Sequence, residues 1–311
     1  MKNNIYIIGA GAIGKVLAVF LKLNNANVTL LRGSVDNKSS TKETIRVALP
    51  DKTELEAEIE VSTLSNFPAL DGIIVLTTKS YGNENIAQAL KGKVNNSPIV
   101  ILQNGLGVEE VFNDGNFTEV FRCVLFATSQ NISENKLSFK PVSVSPIGII
   151  KGTNATLNKV VELISSSNFQ FKAESDIQPI IWKKAIVNSV FNSICPLLEI
   201  DNGIFYRDEG VLQIAKRIIR ECVLISTANG VSLSVDQVIE SLVLISKASD
   251  GQFISTLQDI RKKRKTEIET LNFEIVRIAA TLGKENLVTE TKLLGELIKI
   301  KSELTRQEKL I

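Results

Sequence analysis

The sequence predicts an α/β protein of two domains, in which an N-terminal domain alternates strands with helices and a C-terminal domain is all-helical. The 311 residues are enough for two cores. Short apolar runs that end in turn residues recur through the first half, as buried parallel strands do. A glycine-rich turn joins the first of these runs to a helical pattern. After Ile177 long helical periodicity takes over, so we place the domains at residues 1–175 and 176–311.

The best-defined element is a strand–turn–helix–strand unit at the N-terminus. An apolar run at residues 5–8 precedes glycines spaced G-x-G-x-x-G, and residues 12–23 are helical. In this context the first glycine permits a tight turn, the second lets the main chain approach a pyrophosphate, and the third lets the helix pack on the strand. A plain tight turn is the alternative. The predicted phosphate-binding residues of this Rossmann-type domain are Gly9, Ala10, Gly11, Ala12, Ile13 and Gly14.

Arg32 ends the second apolar run and refines the cofactor prediction. An enzyme that uses NAD usually carries Asp or Glu here, because a carboxylate accepts hydrogen bonds from the ribose hydroxyls. An arginine cannot accept such bonds, but it can pair with a 2′-phosphate. Arg32 therefore predicts NADP(H), with an ordinary solvated arginine as the alternative.

The remaining elements follow from apolar runs and helical periodicity in chain order. We predict further strands at residues 44–49, 55–61, 71–78, 98–102, 120–127, 137–150 and 169–173, the first two as a hairpin. We predict helices at residues 86–90, from 108 onward, and at 155–165, 177–198, 211–229, 235–249, 266–282 and 292–303.

Two further polar residues follow the carboxyl ends of predicted parallel strands. Lys79 follows the strand at 71–78, and Asn104 follows the strand at 98–102. Ligands of open α/β sheets bind at that edge. We therefore expect Lys79 to reach a cofactor phosphate or the adenine ribose, and Asn104 to lie near the nicotinamide and the substrate. For Asn104, an ordinary turn at residues 103–107 is an equal alternative.

The helix predicted at 177–198 carries a polar stripe. Lys184, Asn188 and Asn192 are four residues apart, so they share one face among apolar neighbours. Asparagine is a weak helix former, which favours ligand contacts over propensity as the reason for the stripe. An exposed polar face is the alternative. Further along, Ser255 or Asp259 is expected to cap a helix, and periodicity alone does not single out Glu267.

Composition excludes several classes of function. The net charge of +2 provides no bulk attraction to nucleic acid or to a membrane surface. The three cysteines are widely spaced without a C-x-x-C, which argues for a reducing compartment and against disulfides or a zinc site. With no histidine in the chain, any proton donor must be another residue type. We expect a cytoplasmic protein with no metal site and no membrane or nucleic-acid partner.

Taken together, the motifs identify a resemblance that spans essentially the whole chain. It rests on IGAGAIG at 8–14, Arg32, TTKSY around Lys79, LQNGLG at 102–107, WKKAIVNSVFN at 182–192, Asn202 with Gly203, and STLQDIRKKRKTEI at 255–268. On these motifs the chain resembles the 2-dehydropantoate 2-reductase (ketopantoate reductase) family. It departs from the family at 126–146, which lacks a common histidine and glycine pattern, and at Phe273, where members commonly carry glycine.

The resemblance implies NADPH-dependent reduction of 2-dehydropantoate to pantoate, for pantothenate and coenzyme A synthesis. It implies that Lys184 is the proton donor and that Glu267 contacts the cofactor and organises the site. It also implies that Asn104 touches both nicotinamide and substrate, and that Arg32 and Lys79 hold the adenosine side. The implied substrate contacts are Asn104, Lys184, Asn188, Asn192, Asn202 and Ser255.

Two other functions stay open at this point. One is a related NADPH-dependent reductase of a different 2-keto acid. The other is a redox sensor that binds NADP(H) without turnover, although a sensor has no need for a lysine aligned with two asparagines. In each case the expected partner is a small molecule, and the protein is expected to be a monomer or a homodimer.

Overall fold

The computed structural model describes residues 4–33, 35–113, 115 and 117–307, which form two compact units. The N-terminal unit comprises Met1–Asn104 and Val108–Ile177. The C-terminal unit comprises Gln178–Ile311 and the short segment Gly105–Gly107. That segment therefore belongs with the helical part of the protein although the first unit surrounds it in sequence.

The described part of the N-terminal unit is built from one sheet of eleven strands and four α-helices. The strands are β1 (Asn4–Ile8), β2 (Asn27–Arg32), β3 (Thr41–Ala48), β4 (Glu54–Thr63), β5 (Ile73–Leu76), β6 (Ile99–Ile101), β7 (Val120–Cys123), β8 (Ala127–Ser133), β9 (Lys136–Pro141), β10 (Ser145–Lys151) and β11 (Phe171–Ala173). The helices are α1 (Ala12–Leu23), α2 (Asn83–Leu90), α3 (Glu110–Asn113) and α4 (Asn154–Ile164).

Six parallel strands form the centre of the sheet in the order β4-β2-β1-β5-β6-β7. This is the doubly wound order of dinucleotide-binding sheets, in which the strand order reverses beside β1. Because the strands are parallel, their carboxyl ends meet at one edge. The glycine turn after β1, Arg32 at the end of β2 and the turns after β5 and β6 all lie at that edge.

Side chains alternate between two apolar layers, one on each face of the sheet. Ile5 and Ile7 of β1 join one layer with α1 and α4, whereas Tyr6 and Ile8 join the other with α2. A strand buried on both faces requires a continuous apolar sequence, which is why residues 5–8 show no polar alternation.

Both edges of the parallel core carry additional strands. The predicted hairpin is present as β3 and β4, and β9 then pairs parallel with β3 while β8 pairs antiparallel with β9. At the opposite edge β10 pairs antiparallel with β7 and parallel with β11. The stretch predicted as strand at 137–150 is thus split at residues 142–144, where Val142 is exposed, and its two parts lie at opposite edges.

The described part of the C-terminal unit is helical. Its helices are α5 (Gln178–Leu198), α6 (Ile204–Arg207), α7 (Glu209–Ala228), α8 (Val235–Ala248), α9 (Ser255–Arg261), α10 (Asn272–Thr281) and α11 (Thr289–Gln307), with a 3₁₀ turn at Ile268–Thr270. The helix predicted at 266–282 was placed too early, because the 3₁₀ turn precedes α10. The capping role expected for Ser255 or Asp259 was wrong: Ile254 is the N-cap of α9, and both residues lie inside that helix.

Helix α5 is the centre of this unit. Most of its residues are buried, including its tryptophan, Trp182, and Phe191, whose ring meets Phe205 of α6 edge-on at 4.8 Å. Polar side chains fix the helix starts around it: Asp208 accepts a bond from Val211 N at 2.8 Å at the start of α7. Glu221 of α7 accepts bonds from the main-chain N–H groups of Glu290 and Thr291 in the first turn of α11.

Within the part of the chain that the structure describes, no helix combines the length and apolar character that crossing a bilayer requires. Among the same residues, no group of three or more His, Cys, Asp or Glu side chains is arranged to hold a metal ion. The three cysteines are free thiols and are buried. Burial raises the pKa of the Cys195 thiol, and likewise that of Cys222, to about 12.

Candidate active site

The glycine turn between β1 and α1 has the geometry that close approach to a phosphate requires. Gly9 has φ +127°, a conformation that side chains rarely adopt. A Cβ on Gly14 would lie 2.0 Å from Gly9 O, so helix and strand meet without room for a methyl group. At Gly11, the N-cap of α1, a Cβ would meet no described atom within 4 Å. The turn therefore leaves open space beside main-chain N–H groups at a helix N-terminus, where an anion binds.

Thr77 holds this turn against the end of β5. Its hydroxyl donates to Gly9 O at 2.9 Å, and its main-chain N–H donates to Ile8 O at 2.9 Å. The same hydroxyl oxygen would lie 2.6 Å from a Cβ on Gly14. The first threonine of the TTKSY motif is thus part of the turn's scaffold, and Lys79 follows two residues later at the same sheet edge.

A buried amide pair fixes the turn that contains Asn104. Asn83 of α2 and Gln103 exchange two side-chain hydrogen bonds, Nδ2 to Oε1 at 2.8 Å and Nε2 to Oδ1 at 2.7 Å. Gln103 Nε2 also donates to Thr78 Oγ1 at 3.1 Å. Since buried polar groups of this kind are costly to leave unpaired, the turns after β5 and β6 are tied to each other.

The buried side chain of Arg122 in β7 also holds this turn. Its side chain is only 2% exposed, and Nη1 donates to the carbonyl oxygens of Gln103, Cys123 and Ile101 at 2.5, 3.1 and 3.4 Å. Its charge is balanced by Glu109, whose carboxylate accepts from Nε at 3.1 Å. The sequence analysis missed this residue. The available signal was a lone arginine in the otherwise apolar strand VFRC, since a buried charge needs a dedicated partner.

Arg32 lies at the end of β2 as predicted, but it already has partners. Its Nη2 donates to Glu43 Oε1 and to Thr41 Oγ1, each at 3.1 Å. The other terminal nitrogen, Nη1, is buried and has no hydrogen-bond partner among the described residues. The simple alternative of a solvated arginine was therefore wrong, because the guanidinium is paired with Glu43 and Thr41 and its Nη1 is buried.

In the C-terminal unit the stripe along α5 turns inward. Lys184 and Asn188 are partly exposed, whereas Asn192 is only 4% exposed. Asn192 Nδ2 donates to Asn188 O at 2.9 Å, and its Oδ1 accepts from Ser255 Oγ at 3.4 Å and from Thr256 N at 3.3 Å. The alternative of an exposed polar face was wrong for Asn192. The structure brings Asn188, Asn192 and Ser255 together, although their roles stay predictions.

Asn202 occupies a tightly held loop between α5 and α6. Its main-chain N–H donates to Gln252 O at 2.8 Å, and its carbonyl accepts from Ser246 Oγ at 2.6 Å. The side chain is 8% exposed, and its Oδ1 is buried without a hydrogen-bond partner among the described residues. An amide oxygen in this state is suited to a ligand donor.

Asp201 organises the same loop. Its carboxylate accepts hydrogen bonds from Gly203 N at 2.7 Å, Gly251 N at 3.1 Å and Arg207 Nη2 at 2.8 Å. The Arg207 hydrogen bond, together with the two main-chain donors, lowers the pKa of Asp201 from 3.8 to about 2. The charged form of Asp201 is therefore the form that the folded loop requires.

We expect this carboxylate to contribute to acid stability. The folded pKa lies below the unfolded one, so the contribution is present above pH 3.8 and is lost as pH falls toward about 2. Chemical denaturation of the unmodified protein and of Asp201→Asn should therefore show a large difference in unfolding free energy at pH 6 and a much smaller one near pH 2. An equal difference at both pH values would contradict this role.

Glu267 directly precedes the 3₁₀ turn, and its carbonyl accepts from Thr270 N and Thr270 Oγ1, each at 3.2 Å. The segment Gly105–Gly107 lies against the same turn, because Leu106 N donates to Thr270 O at 2.8 Å. Gly105 has φ +100°, and a Cβ there would lie 2.5 Å from Thr270 O. The glycine after Asn104 is therefore required by packing within the C-terminal unit.

Phe273, where the family commonly has glycine, is accommodated by α11. A Cβ on Gly295 would lie 3.5 Å from the ring of Phe273, so this helix presents a glycine beneath the ring. Lys299, one turn further along, places its ammonium 5.4 Å from the ring centroid. The bulky side chain is thus packed against α11.

A doubly wound parallel sheet with a phosphate-type glycine turn after its first strand, followed by a helical unit, defines a dinucleotide-binding protein of Rossmann type. The particular family follows from sequence. The chain belongs to the ketopantoate reductase PanE/ApbA family, whose N-terminal model matches residues 5–141 and whose C-terminal model matches residues 176–301. This confirms the family and the fold class that the sequence motifs indicated.

Individual relatives agree with this assignment. A 2-dehydropantoate 2-reductase of Pyrococcus horikoshii is 28% identical over 306 residues, covering 96% of this chain and 98% of the relative. A dimeric ketopantoate reductase from Staphylococcus aureus has the same fold, with a TM-score of 0.81 at 20% identity over 97% of this chain and 99% of its own. D-mandelate dehydrogenase in complex with NADH and anilino(oxo)acetate has a TM-score of 0.82, also at 20% identity and with the same coverage.

Proposed function

We propose that this protein reduces 2-dehydropantoate to pantoate with NADPH, within pantothenate and coenzyme A synthesis. The observation that carries the proposal is the stripe on α5, where Lys184 is followed by Asn188 and by the buried Asn192 bound to Ser255. These are donors of the kind that a keto acid needs, on a helix that is otherwise apolar. Their presence in a ketopantoate reductase family member supports catalysis over cofactor sensing.

The N-terminal unit provides the dinucleotide site. The open space at Gly11 and the close packing at Gly14 and Gly9 fit a pyrophosphate at the start of α1. Arg32 has a spare buried donor for the 2′-phosphate, and Lys79 lies at the same sheet edge. Asn104 and Glu267 are assigned to the nicotinamide end on the basis of the family motifs.

The C-terminal unit provides the proton and orients the substrate. When bound, the reduced nicotinamide supplies a hydride to the ketone carbon. Lys184 stabilises the negative charge on the ketone oxygen and donates the proton that completes the hydroxyl group, then regains a proton from water. Asn188, Asn192, Asn202 and Ser255 bind the polar groups of the keto acid. Asn202 Oδ1, which has no hydrogen-bond partner among the described residues, is assigned to accept a hydrogen bond from it.

The direct test is NADPH oxidation by the purified protein with a panel of 2-keto acids that differ in branching and in the terminal hydroxyl. The proposal requires 2-dehydropantoate to have the highest kcat/KM. A higher value for another member of the panel would identify a reductase of that acid. Binding of NADPH without turnover of any keto acid would favour the sensor. We further propose that the protein is cytoplasmic and is a monomer or a homodimer. The dimeric Staphylococcus aureus protein of this fold supports the homodimer.

Charge reversal at Arg32 tests the cofactor assignment. Arg32→Asp should weaken NADPH binding by roughly 10²-fold while changing NADH binding far less, because a charge-assisted bond to the 2′-phosphate is replaced by repulsion. The measurement is a fluorescence titration of each reduced cofactor. Arg46→Asp is the matched control, since Arg46 lies on β3 in an exposed pair with Glu56. Equal loss of both cofactors in Arg32→Asp would remove Arg32 from 2′-phosphate recognition.

A further inference from the structure

A carboxylate lies where the 2′-phosphate is expected to bind. Glu43 of β3 accepts from Arg32 Nη2 at 3.1 Å through Oε1, and its Oε2 lies 3.7 Å from Lys15 Nζ. Lys15 stands in the first turn of α1, directly after the last glycine of the turn. One acidic side chain therefore contacts both Arg32, a predicted adenosine-side residue, and Lys15 at the start of α1. The sequence analysis did not single out this glutamate.

Glu43 reaches Arg32 and Lys15 from β3, which lies outside the β1–α1–β2 unit that carries the glycine turn. β3 runs antiparallel to β4, which pairs parallel with β2, so the amino end of β3 lies at the carboxyl end of β2. Glu43 shares a face of β3 with Ile45 and Val47, which are both fully buried beside α1. The carboxylate is thus fixed on the α1 side of the sheet, the side on which Arg32 also lies.

Lys15 is held by further contacts as well. Its Nζ donates to Asn135 Oδ1 at 2.8 Å and to Glu134 O at 3.2 Å, both in the turn between β8 and β9. Side chains of Lys15, Arg32 and Glu43 are 13%, 22% and 25% exposed, so water screens these charges less than it screens a surface pair. Any anion that binds Arg32 or Lys15 therefore competes with the Glu43 carboxylate.

We propose that Glu43 reduces the preference of this protein for NADPH over NADH. The inference rests on the proposed function, since it requires the dinucleotide to bind at the glycine turn. A 2′-phosphate that binds Arg32 must share the guanidinium with the Glu43 carboxylate and is repelled by its negative charge. The 2′-hydroxyl of NADH can instead donate a hydrogen bond to a carboxylate, as it does in enzymes that carry an acid at the end of β2.

Replacing Glu43 with glutamine removes the charge and keeps the shape. In Glu43→Gln, the ratio of Kd for NADH to Kd for NADPH should rise by about tenfold or more, mainly through tighter NADPH binding, because Arg32 and Lys15 are released to the phosphate. Kd is measured by fluorescence titration of each reduced cofactor. The fragments 2′,5′-ADP and 5′-AMP, measured by calorimetry, should show the same contrast, with only the 2′-phosphorylated fragment binding more tightly.

Glu58→Gln is the matched control, because Glu58 on β4 forms an exposed 2.8 Å pair with Lys42 of β3 and the charge change is identical. It should leave both dissociation constants unchanged. Thermal unfolding of each variant without cofactor verifies that it is folded, and Glu43→Ala provides a second variant that lacks the acceptor.

The outcomes separate the two proposals. An unchanged or lower ratio in a Glu43 variant that binds both cofactors would overturn the role of Glu43 and leave the proposed function intact. A lower ratio would mean that Glu43 instead orients Arg32 for the phosphate. If the unmodified protein bound neither cofactor, both the proposed function and this inference would be overturned.

Discussion

Lys184→Ala is expected to lower kcat for the keto acid by about 10²–10⁴-fold, the usual contribution of a positioned proton donor. With no histidine in the chain, the donor must be another residue type, and Lys184 heads the stripe that leads through Asn188 to Asn192. Affinity for NADPH should survive, because the proposed phosphate contacts are in the N-terminal unit. The measurements are steady-state kinetics and cofactor titration on the same preparation.

Lys183→Ala is the matched control for this experiment. The two lysines are neighbours on α5 and are both partly exposed, but successive helix positions point about 100° apart. Lys183→Ala should retain near-normal kcat. If Lys184→Ala kept normal turnover, Lys184 would have no catalytic role, whereas a parallel loss of NADPH binding would point to a structural or cofactor role.

Two glycines of the turn after β1 should respond to alanine in different ways. In Gly14→Ala the new methyl group would lie 2.0 Å from Gly9 O and 2.6 Å from Thr77 Oγ1, so α1 must move. We expect a loss of unfolding free energy on the order of 3 kcal/mol. In Gly11→Ala the new Cβ would have no described atom within 4 Å, so the loss of unfolding free energy should stay below about 1 kcal/mol.

The variant that should stay stable, Gly11→Ala, is the one that should lose cofactor affinity. Gly11→Ala places a methyl group in the open space where the pyrophosphate approaches the main chain, so NADPH affinity should fall by at least about 10²-fold in a normally stable protein. Denaturant unfolding and cofactor titration measure the two effects. Normal NADPH affinity in Gly11→Ala would show that the phosphates do not contact this turn.

Much of the fold could be predicted because each feature has a local cause. The run at residues 5–8, the glycine spacing and Arg32 lie within one βαβ unit, so sequence distance is a good guide to spatial distance. The helical character after Ile177 likewise follows from periodicity. The edge strands were harder, because pairing of β9 with β3 joins residues far apart in sequence and no local pattern encodes it.

The sequence singled out candidate site residues but not the residues that support them. Arg122 is brought to Gln103 by β7, the strand next to β6, and Glu43 is brought to Arg32 by β3, which lies two strands away from β2. A charge in a strand does not reveal which partner it will meet. Ser255 illustrates the opposite error. Its position near a helix start suggested a cap, but its hydroxyl contacts Asn192 from the first turn of α9. Sequence identifies the residue in such cases, and tertiary packing selects the partner.

Trp182, buried in α5, allows unfolding of the helical unit to be followed separately by fluorescence. It is the single tryptophan of the chain and it belongs to the C-terminal unit. Tryptophan emission during denaturation therefore reports the melting of the helical unit alone, whereas far-ultraviolet dichroism reports strands and helices of both. Coincident transitions by the two probes would identify a single cooperative unit, and separate transitions would identify two. The folding cooperativity of the protein can thus be measured without introducing any label.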